Sequence, residues 1–422
     1  MDLFSPPTRD ERQEMGRIRW MDNKCKGTLE YATGVGKTTT AIKCVQSVLK
    51  KYTGFRVLVV VPTETLKDQW VKALAKAGLF MNAEVAIINT VVKHEWNCDI
   101  LVLDEIHRMA ADSFQQVFDK VKYKLILGLT ATLERLDERH TIIERYCPVC
   151  DRISIEEATQ NGWLAPYKEY KVYIDVDLTE YNALNREFNE HFAFFNYDFD
   201  LCMKLVGKDG FRKRMAFRDL LYTGTDPTTK SQLLEDITFH AMGFMRTMQK
   251  RKAFIYSHPK KVEITNLILD YRRDSKAITF SPTIEVAEKI KYGGVLHSKQ
   301  TKKKNAMTLE DFIPMKVGVL NTSKALNEGA DIQGLNLAII LSNTSSKTEK
   351  TQRIGRVIRF SPNKVAEIFT LVLRGTVEEE WFTRSNADKK YITIDEEQLM
   401  HVLKHEEFKE CKSKPLKMIF RF

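Results

Sequence analysis

The sequence predicts an α/β protein with two tandem lobes, each a parallel sheet flanked by helices, and a mainly helical insert between them. Two stretches, residues 26–132 and 276–373, alternate short apolar runs with amphipathic segments. This alternation is typical of a doubly wound α/β lobe. Residues 178–252 differ, because aromatic residues are followed there by basic ones without strand alternation.

The strands of the first lobe are predicted where β-branched residues run together and stop at polar residues. Three runs have this pattern: Arg56–Val61, Ile100–Leu103 and Lys124–Gly128. Such runs are typical of strands that are buried on both faces of a parallel sheet. Helical periodicity between them predicts helices at Thr38–Lys51 and Glu64–Ala77.

The second lobe has the same kind of signal. Its predicted strands are 277–280, 317–320, 338–341 and 368–373. We therefore divide the chain into an N-terminal lobe (1–150), a crossing segment (151–177), an insert (178–252), a C-terminal lobe (253–391) and a charged tail (392–422).

Composition points to a globular protein of a reducing compartment with a polyanionic partner. The 422 residues are 43% hydrophobic, which is enough for more than one core, and their net charge of +10 favours nucleic acid as a partner. A basic but inert surface is the alternative. The seven cysteines do not resemble a disulfide framework, and the polar N-terminus does not resemble a signal peptide. No apolar run approaches the ~20 residues of a membrane span, so we expect a cytoplasmic protein.

The strongest local motif is a phosphate-binding loop at Ala32–Thr38. Gly34 and Gly36 would let backbone N–H groups face phosphate oxygens at the start of a helix, and we expect Thr39 to bind the nucleotide as well. We expect Lys37 to reach the β- and γ-phosphates of ATP and Thr38 to ligate Mg²⁺. The general pattern has glycine where this chain has Tyr31.

An acidic pair follows the predicted strand Ile100–Leu103. Asp104 would hold the Mg²⁺ ion and Glu105 would act as general base toward the attacking water. Such a pair alone is more often a helix cap. Together with the loop at Ala32–Thr38, and at a separation that fits two intervening βα units, it predicts an ATP hydrolysis site.

The order of further motifs resembles that of superfamily 2 helicases with two RecA-like lobes. Asp104–His107 resembles the DExH form of their acidic box, and Thr130–Thr132 resembles motif III. In the second lobe, Gln352–Arg359 resembles motif VI. Gln352, Arg356 and Arg359 would share one helix face and turn two guanidinium groups to the γ-phosphate.

The resemblance also implies roles for residues outside the phosphate loop. Gln13 lies where the family reads adenine, and the segment 327–331, which resembles motif V, would bring Gly329 and Asp331 to the nucleotide. His107 would couple the hydrolysis site to Thr130, Thr132 and Gln352. Motifs Ia, Ib, IV and V imply contacts to the nucleic-acid backbone by Pro62, Thr63, Thr90, Ser281 and Thr322.

Within the superfamily, the sequence looks closest to the XPB-like DNA helicases and to phage branch-migration helicases. This resemblance implies that the chain is an ATP-dependent DNA helicase or translocase, which acts on branched DNA with little sequence specificity. The motifs leave open an RNA helicase, a double-stranded DNA translocase, and an ATP-switched clamp that does not unwind.

Three further features of the sequence lead to different conclusions. Arg212 and Arg214 belong to a basic cluster of the insert that we expect to contact nucleic acid. Phe188, Phe192 and Phe195 could stack on bases, but their helical spacing favours a core stripe. Cys147 and Cys150 have the spacing of a zinc half-site without a second pair, so we do not expect metal there.

Overall fold

The computed structural model describes residues 6–133, 139–323, 332–342, 353–355, 357, 365–386 and 390–405. The expected fold class is confirmed: two parallel sheets flanked by helices are joined in one chain, with a helical insert.

The first sheet has the strand order β3-β2-β5-β7-β1-β8, and every pairing in it is parallel. Its strands are β1 Lys26–Tyr31, β2 Val57–Val61, β3 Ala83–Ile87, β5 Ile100–Asp104, β7 Leu125–Thr130 and β8 Val149–Ile153. A parallel pair of two-residue strands, β4 Trp96–Asn97 and β6 Val121–Lys122, lies beside it. Because the strands are parallel, the segments after β1, β5 and β7 meet at one edge of the sheet.

The helices of this lobe alternate with its strands. They are α1 Arg9–Asp22, α2 Lys37–Lys51, α3 Glu64–Lys76, α4 Ile88–Val91, α5 Val117–Lys120, α6 His140–Tyr146 and α7 Ile155–Gln160. The two that the sequence predicted are α2 and α3. Helix α1 begins at a capping box in which Thr8 and Glu11 satisfy each other's backbone N–H groups. Helix α2 begins directly after Gly36.

The second sheet has the strand order β11-β12-β10-β13-β14-β9-β15, also parallel throughout. Its strands are β9 Tyr167–Ile174, β10 Lys276–Phe280, β11 Gly294–His297, β12 Gly318–Ser323, β13 Leu337–Ile340, β14 Ala366–Leu373 and β15 Ile392–Ile394. Its helices are α12 Pro259–Tyr271, α13 Ile284–Glu288, α14 Lys302–Phe312, α15 Glu378–Ser385 and α16 Glu396–Leu403.

Two strands of this sheet come from segments that the sequence analysis assigned elsewhere. Strand β9, from the predicted crossing segment 151–177, pairs with β14 over eight residues. Strand β15, from the predicted tail 392–422, pairs with the other side of β9. The predicted boundary at residue 150 also falls inside β8. The insert therefore leaves and re-enters the second lobe.

The insert is helical and has a core of its own. It consists of α8 Thr179–Ala193, α9 Phe199–Val206, α10 Gly210–Leu221 and the long α11 Pro227–Ser257. Phe195 is buried in this core, and Phe188 and Phe192 pack against Phe244 with ring centroids 5.1 Å and 5.2 Å away. The prediction that these three aromatics form a core stripe is confirmed.

One apolar cluster extends from the first lobe into the second. Leu29 and Leu129 of the first sheet, Trp163 and Leu164 of the connection, and Phe280 of the second sheet all belong to it. The two lobes therefore contact each other in this conformation. Within the described residues, no helix is long and apolar enough to cross a membrane.

Candidate functional site: a phosphate-binding loop between two lobes

The loop after β1 has the backbone of an anion cradle. Gly34 and Gly36 have φ angles of 94° and 103°, a left-handed region that favours glycine. The N-terminus of α2 follows, so its free N–H groups and its dipole point toward the loop. Lys37 folds back over the loop, where its Nζ donates to the carbonyl oxygen of Tyr31 at 3.3 Å. The backbone and Lys37 together fit a phosphate chain.

Helix α1 covers the outside of this loop. Gln13 is 4% exposed, and its Nε2 donates to the carbonyl oxygen of Val35 at 2.9 Å. A side chain at Gly36 would place its Cβ 2.4 Å from that Nε2, so the contact requires glycine. Gln13 is thus buried, and it lies beside the loop where a base reader would be needed.

Arg9 makes a second contact that the sequence analysis missed. Its Nε donates to the carbonyl oxygen of Val35 at 2.9 Å, and its Nη2 donates to that of Gly34 at 2.7 Å. Arg9 precedes Gln13 by four residues, so both lie on one face of α1. That spacing was the available signal.

Asp104 ends β5 at the same edge of the sheet. Its Oδ2 accepts from the indole Nε1 of Trp70 at 2.8 Å, and its Oδ1 accepts from the backbone N–H of Glu105 at 3.0 Å. Burial, followed by the neighbouring Glu105 carboxylate, raises the pKa of Asp104 to about 6. A buried carboxylate with fixed oxygens is suited to a divalent cation, whose charge offsets this cost. Trp70 was not predicted.

Glu105 adopts an unusual backbone conformation, with φ 50° and ψ 49°. A non-glycine residue in the left-handed region is uncommon and is found more often at functional sites. Its Oε2 is buried without a hydrogen-bond partner among the described residues, and it lies 3.4 Å from Nδ1 of His107. An acceptor aimed into the site in this way can take a proton from water.

His107 connects this carboxylate to the segment after β7. Its Nδ1 lies 3.1 Å from the hydroxyl of Thr130, which donates to the carbonyl oxygen of Thr132 at 2.8 Å and accepts from the backbone N–H of Thr132 at 3.2 Å. Because the Thr130 proton is already used, this geometry favours the tautomer in which Nδ1 of His107 is the donor. The structure thus brings together three of the four predicted coupling residues.

The second lobe reaches the phosphate loop at Gly355. A Cβ added at Gly355 would lie 2.4 Å from the Cβ of Thr33, so the helical segment at 353–355 packs directly on the loop. The guanidinium of Arg353 lies 5.3 Å from the ring centroid of Phe280, which ties this segment to the second sheet. Other predicted residues lie outside the described ones: Gln352, Arg356, Arg359, Gly329 and Asp331.

The predicted backbone contacts of the first lobe share the edge that carries the phosphate loop. Pro62 and Thr63 follow β2, and Thr63 caps α3 by accepting from the backbone N–H of Leu66. Thr90 is exposed on α4. These three residues follow β2 and β3, on one side of the phosphate loop.

The corresponding residues of the second lobe are buried in this conformation. Ser281 is 2% exposed, and its backbone N–H donates to the carbonyl oxygen of Thr322. Thr322 is 1% exposed, and its hydroxyl donates to the carbonyl oxygen of Thr279 at 2.9 Å. Contacts from these two hydroxyls to nucleic acid remain predictions.

The two insert arginines differ in their surroundings. Arg212 is exposed, whereas Nη1 of Arg214 donates to the carbonyl oxygen of Leu205 at 2.7 Å, near the end of α9. Cys147 is buried, and the Sγ of Cys150 lies 3.4 Å from the carbonyl oxygen of Thr28. Among the residues described, no group of three His, Cys, Asp or Glu side chains is arranged to hold a metal ion.

Two family patterns match the two lobes. Residues 8–96 and 89–135 match the family described as type III restriction enzyme, res subunit. Residues 259–361 match the helicase conserved C-terminal domain. The second match includes the segment 352–359 that the sequence analysis compared with motif VI.

Several curated proteins are similar over most of this chain. The DNA 3'-5' translocase XPB2 of Sulfurisphaera tokodaii is 26% identical over 390 residues, covering 85% of this chain and 80% of the translocase. A putative ATP-dependent RNA helicase of Acanthamoeba polyphaga mimivirus is 22% identical, covering 81% of this chain and 59% of that protein. The EcoAI type I restriction endonuclease subunit of Escherichia coli is 24% identical, and the chain spans 43% of its length.

Solved structures agree with the fold at low sequence identity. The Hef helicase domain of Pyrococcus furiosus has a TM-score of 0.51 at 16% identity, covering 88% of this chain and 96% of the domain. S. cerevisiae Dbp5 bound to RNA and ADP BeF3 has a TM-score of 0.57 at 14% identity, covering 93% and 91%. At such identities the likeness extends to the fold of two tandem RecA-like lobes.

Proposed function

We propose that the chain is a superfamily 2 helicase or translocase, a nucleic-acid-stimulated ATPase that moves along DNA. The observation that carries this proposal is the packing of the second lobe on the phosphate loop, with Gly355 against Thr33. A metabolic phosphotransferase would not need a second lobe at this position. A motor does, because closing and opening of the two lobes converts hydrolysis into movement.

The residues present fit Mg²⁺ and ATP. Lys37 and the loop amides would hold the phosphates, Thr38 and Asp104 would hold the metal ion, and Gln13 would contact the base. Bound MgATP supplies the phosphoanhydride bond whose cleavage drives the cycle. Glu105 orients water and accepts its proton, since its Oε2 is the buried acceptor without a hydrogen bond among the described residues.

The closing arginines complete the proposed site. Arg356 is the residue after Gly355, and Arg359 follows one helical turn later. Since Gly355 already contacts Thr33, we propose that both guanidinium groups act on the γ-phosphate when the lobes close. Arginine suits this position because its charge is permanent and its fork matches phosphate oxygens. The closed state is favoured while these contacts exist and is lost with them.

DNA is the proposed track, and branched DNA is the proposed substrate. The net charge of +10 and the likeness to a DNA translocase support DNA. The insert supports a branched substrate because it presents aromatic rings beside cations. Tyr197, Phe199 and Phe211 are 59%, 50% and 60% exposed, and the exposed Lys208 and Arg212 are close to Phe211 in sequence. Exposed rings can stack on bases that are unpaired at a junction.

The testing experiment is the ATPase rate of the full chain against matched DNA and RNA substrates. Single strands, duplexes, forks and four-way junctions of one sequence are compared, with Glu105→Gln as the control that binds nucleotide without turning it over. We expect the largest stimulation from forked or four-way DNA, together with separation of its strands.

Other outcomes would redirect or end the proposal. Greater stimulation by RNA would support an RNA helicase, the activity in the name of the mimivirus relative. Stimulation by duplex DNA without strand separation would indicate a duplex translocase. Nucleotide-dependent DNA binding with turnover that no nucleic acid raises would indicate an ATP-switched clamp and would sink the motor proposal.

A further inference from the structure

Tyr31 occupies the position where the general phosphate-loop pattern has glycine, and its side chain is fully buried. It is the last residue of β1, directly before the loop. Its hydroxyl donates to Oδ2 of Asp151 at 2.6 Å. Burial strongly raises the pKa of Tyr31, so the hydroxyl keeps the proton that it donates.

Asp151 is the centre of a buried network that we call the Asp151 hub, formed by Arg12, Tyr31 and Asp151. Arg12 donates to both carboxylate oxygens, at 2.6 Å and 3.1 Å, and Arg19 also donates to Asp151. Burial alone would raise the pKa of Asp151, but hydrogen bonds from Arg12 and Tyr31 hold it below its usual value. The carboxylate therefore stays ionised and accepts from α1 and β1 while standing on β8.

Arg12 extends the hub to the connection between the lobes. Its Nη2 donates to the carbonyl oxygen of Arg152 at 2.6 Å, and its Nε donates to Glu157 of α7 at 2.8 Å. Arg12 itself is only 5% exposed. Two elements, β8 and α7, therefore hold this turn of α1 by charge-assisted hydrogen bonds, which are stronger than neutral ones.

Gly16 makes the close approach of α1 to Tyr31 possible. A Cβ at Gly16 would lie 1.7 Å from the Tyr31 hydroxyl oxygen and 2.9 Å from Oδ2 of Asp151. Gly16 and Tyr31 are thus complementary, one lacking the volume that the other occupies. Arg9, Arg12, Gln13 and Gly16 follow the spacing i, i+3, i+4 and i+7, so the hub and the loop contacts lie on one face of α1.

We propose that Tyr31 and the rest of the Asp151 hub are positioning residues, which hold α1 in register over the phosphate loop and thereby set the affinity and base selectivity of the nucleotide site. This inference rests on the proposed function, because it takes Gln13 as the base-contacting residue. The physical reason is that a displacement of α1 at the hub also displaces the residues of α1 that contact the loop. Gln13 and Arg9 reach the loop through long side chains, and a shift of α1 of about 1 Å breaks hydrogen bonds of ordinary length.

The test is Tyr31→Phe, which removes one hydroxyl and keeps the ring. We expect the KM for ATP to rise about tenfold, as for loss of a hydrogen bond to a buried charge. The preference for ATP over GTP should fall, while kcat at saturating ATP stays within about twofold. The matched control is Tyr52→Phe at a tyrosine that is 45% exposed, where all three quantities should be unchanged.

A second pair of variants separates positioning from stability. Gly16→Ala should raise the KM more than Tyr31→Phe, since its Cβ collides with the hydroxyl, and the double variant should be less impaired than Gly16→Ala alone. If Gly16→Ala does not fold, Tyr31→Phe with its thermal melt still decides. A lower melting temperature with unchanged KM and selectivity would mean that the hub is merely structural, and would overturn the inference.

The two proposals fail separately. Nucleotide affinity is measured without nucleic acid, by titration of a fluorescent ATP analogue. If the wild-type chain binds nucleotide but its ATPase is not stimulated by DNA or RNA, the proposed motor function is contradicted. The positioning role of the Asp151 hub can still be tested in that case. A stimulated wild-type enzyme whose Tyr31→Phe variant keeps its affinity and its ATP preference would contradict only the hub.

Discussion

The contact between Gly355 and Thr33 offers the sharpest perturbation of lobe closure. In Gly355→Ala the new Cβ would lie 2.4 Å from the Cβ of Thr33, whereas carbon atoms rest about 3.5–4.0 Å apart. The lobes must separate by more than about 1 Å at this point. Overpacking of this kind costs about 1–3 kcal/mol, which shifts the closed-to-open ratio roughly 5–150-fold.

The substitution acts on the closed state and not on the helix that carries it. Alanine is favoured over glycine in a helix by up to about 1 kcal/mol, so residues 353–355 should stay helical. We therefore expect kcat of the nucleic-acid-stimulated ATPase to fall by one to two orders of magnitude at an unchanged melting temperature. Stopped-flow measurement of a single turnover would show that cleavage, and not product release, has slowed.

Rescue by the partner residue is the control. Thr33→Gly removes the Cβ that Gly355→Ala would meet and should restore part of the turnover, whereas Thr33→Ala keeps that Cβ and should not. Wild-type turnover in Gly355→Ala, with the protein folded, would refute the idea that this contact belongs to the hydrolytic state.

Three further outcomes are expected from the same geometry. Lys37→Ala should abolish hydrolysis and weaken ATP binding, whereas Glu105→Gln should abolish hydrolysis and retain binding; normal turnover in either variant would contradict its assigned role. Protonation of Asp104 competes with Mg²⁺, so kcat/KM should fall as the pH drops through about 6. Trp70→Phe removes a hydrogen bond that favours the ionised carboxylate, so it should move this fall in kcat/KM to higher pH. A pH profile identical to that of the wild type would exclude this role for Trp70. DNA affinity should fall with salt, and Arg212→Ala should reduce the slope of log K against log salt by about 1. Arg214→Ala loses the contact to Leu205, so it should lower the melting temperature instead. Equal changes of the salt slope in the two variants would argue against a DNA contact by Arg212.

Strands made of continuous apolar runs could be predicted from the sequence, and the others could not. Strand β2 is five buried residues, Val57–Val61, and its prediction missed by one residue. Strand β1 is equally interior but reads Lys-Gly-Thr-Leu-Glu-Tyr, because its side chains meet α1 and the loop and not a uniform apolar layer. Strand β9 buries Glu169 and Lys171. Because these polar residues interrupt its apolar pattern, the sequence analysis assigned this interior strand to the crossing segment.

The residues of the candidate site also fall into two groups, those in contiguous motifs and those distant in sequence from their partners. The phosphate loop and the acidic pair are contiguous motifs, so the sequence alone could single out Lys37, Asp104 and Glu105 as candidates. Trp70 lies 34 residues before the carboxylate to which it donates, and Arg9 lies 25 residues before the carbonyl oxygen of Gly34. No periodicity links such pairs, because the contacts are made by the tertiary packing of α3 and α1 against other segments and not within one helix.

The two acidic residues are adjacent in sequence but differ in environment, and this difference supports their separate roles. Both oxygens of Asp104 accept from N–H donors whose positions are fixed by the fold, so its carboxylate cannot turn to follow a proton. Glu105 stands on a left-handed backbone, with Oε2 held near Nδ1 of His107 and without a hydrogen bond among the described residues. An immobile carboxylate suits a metal ion, and an undersatisfied one suits water. Since Thr130 also meets Nδ1 of His107, we expect a change in the charge of Glu105 during hydrolysis to reach the segment after β7 first.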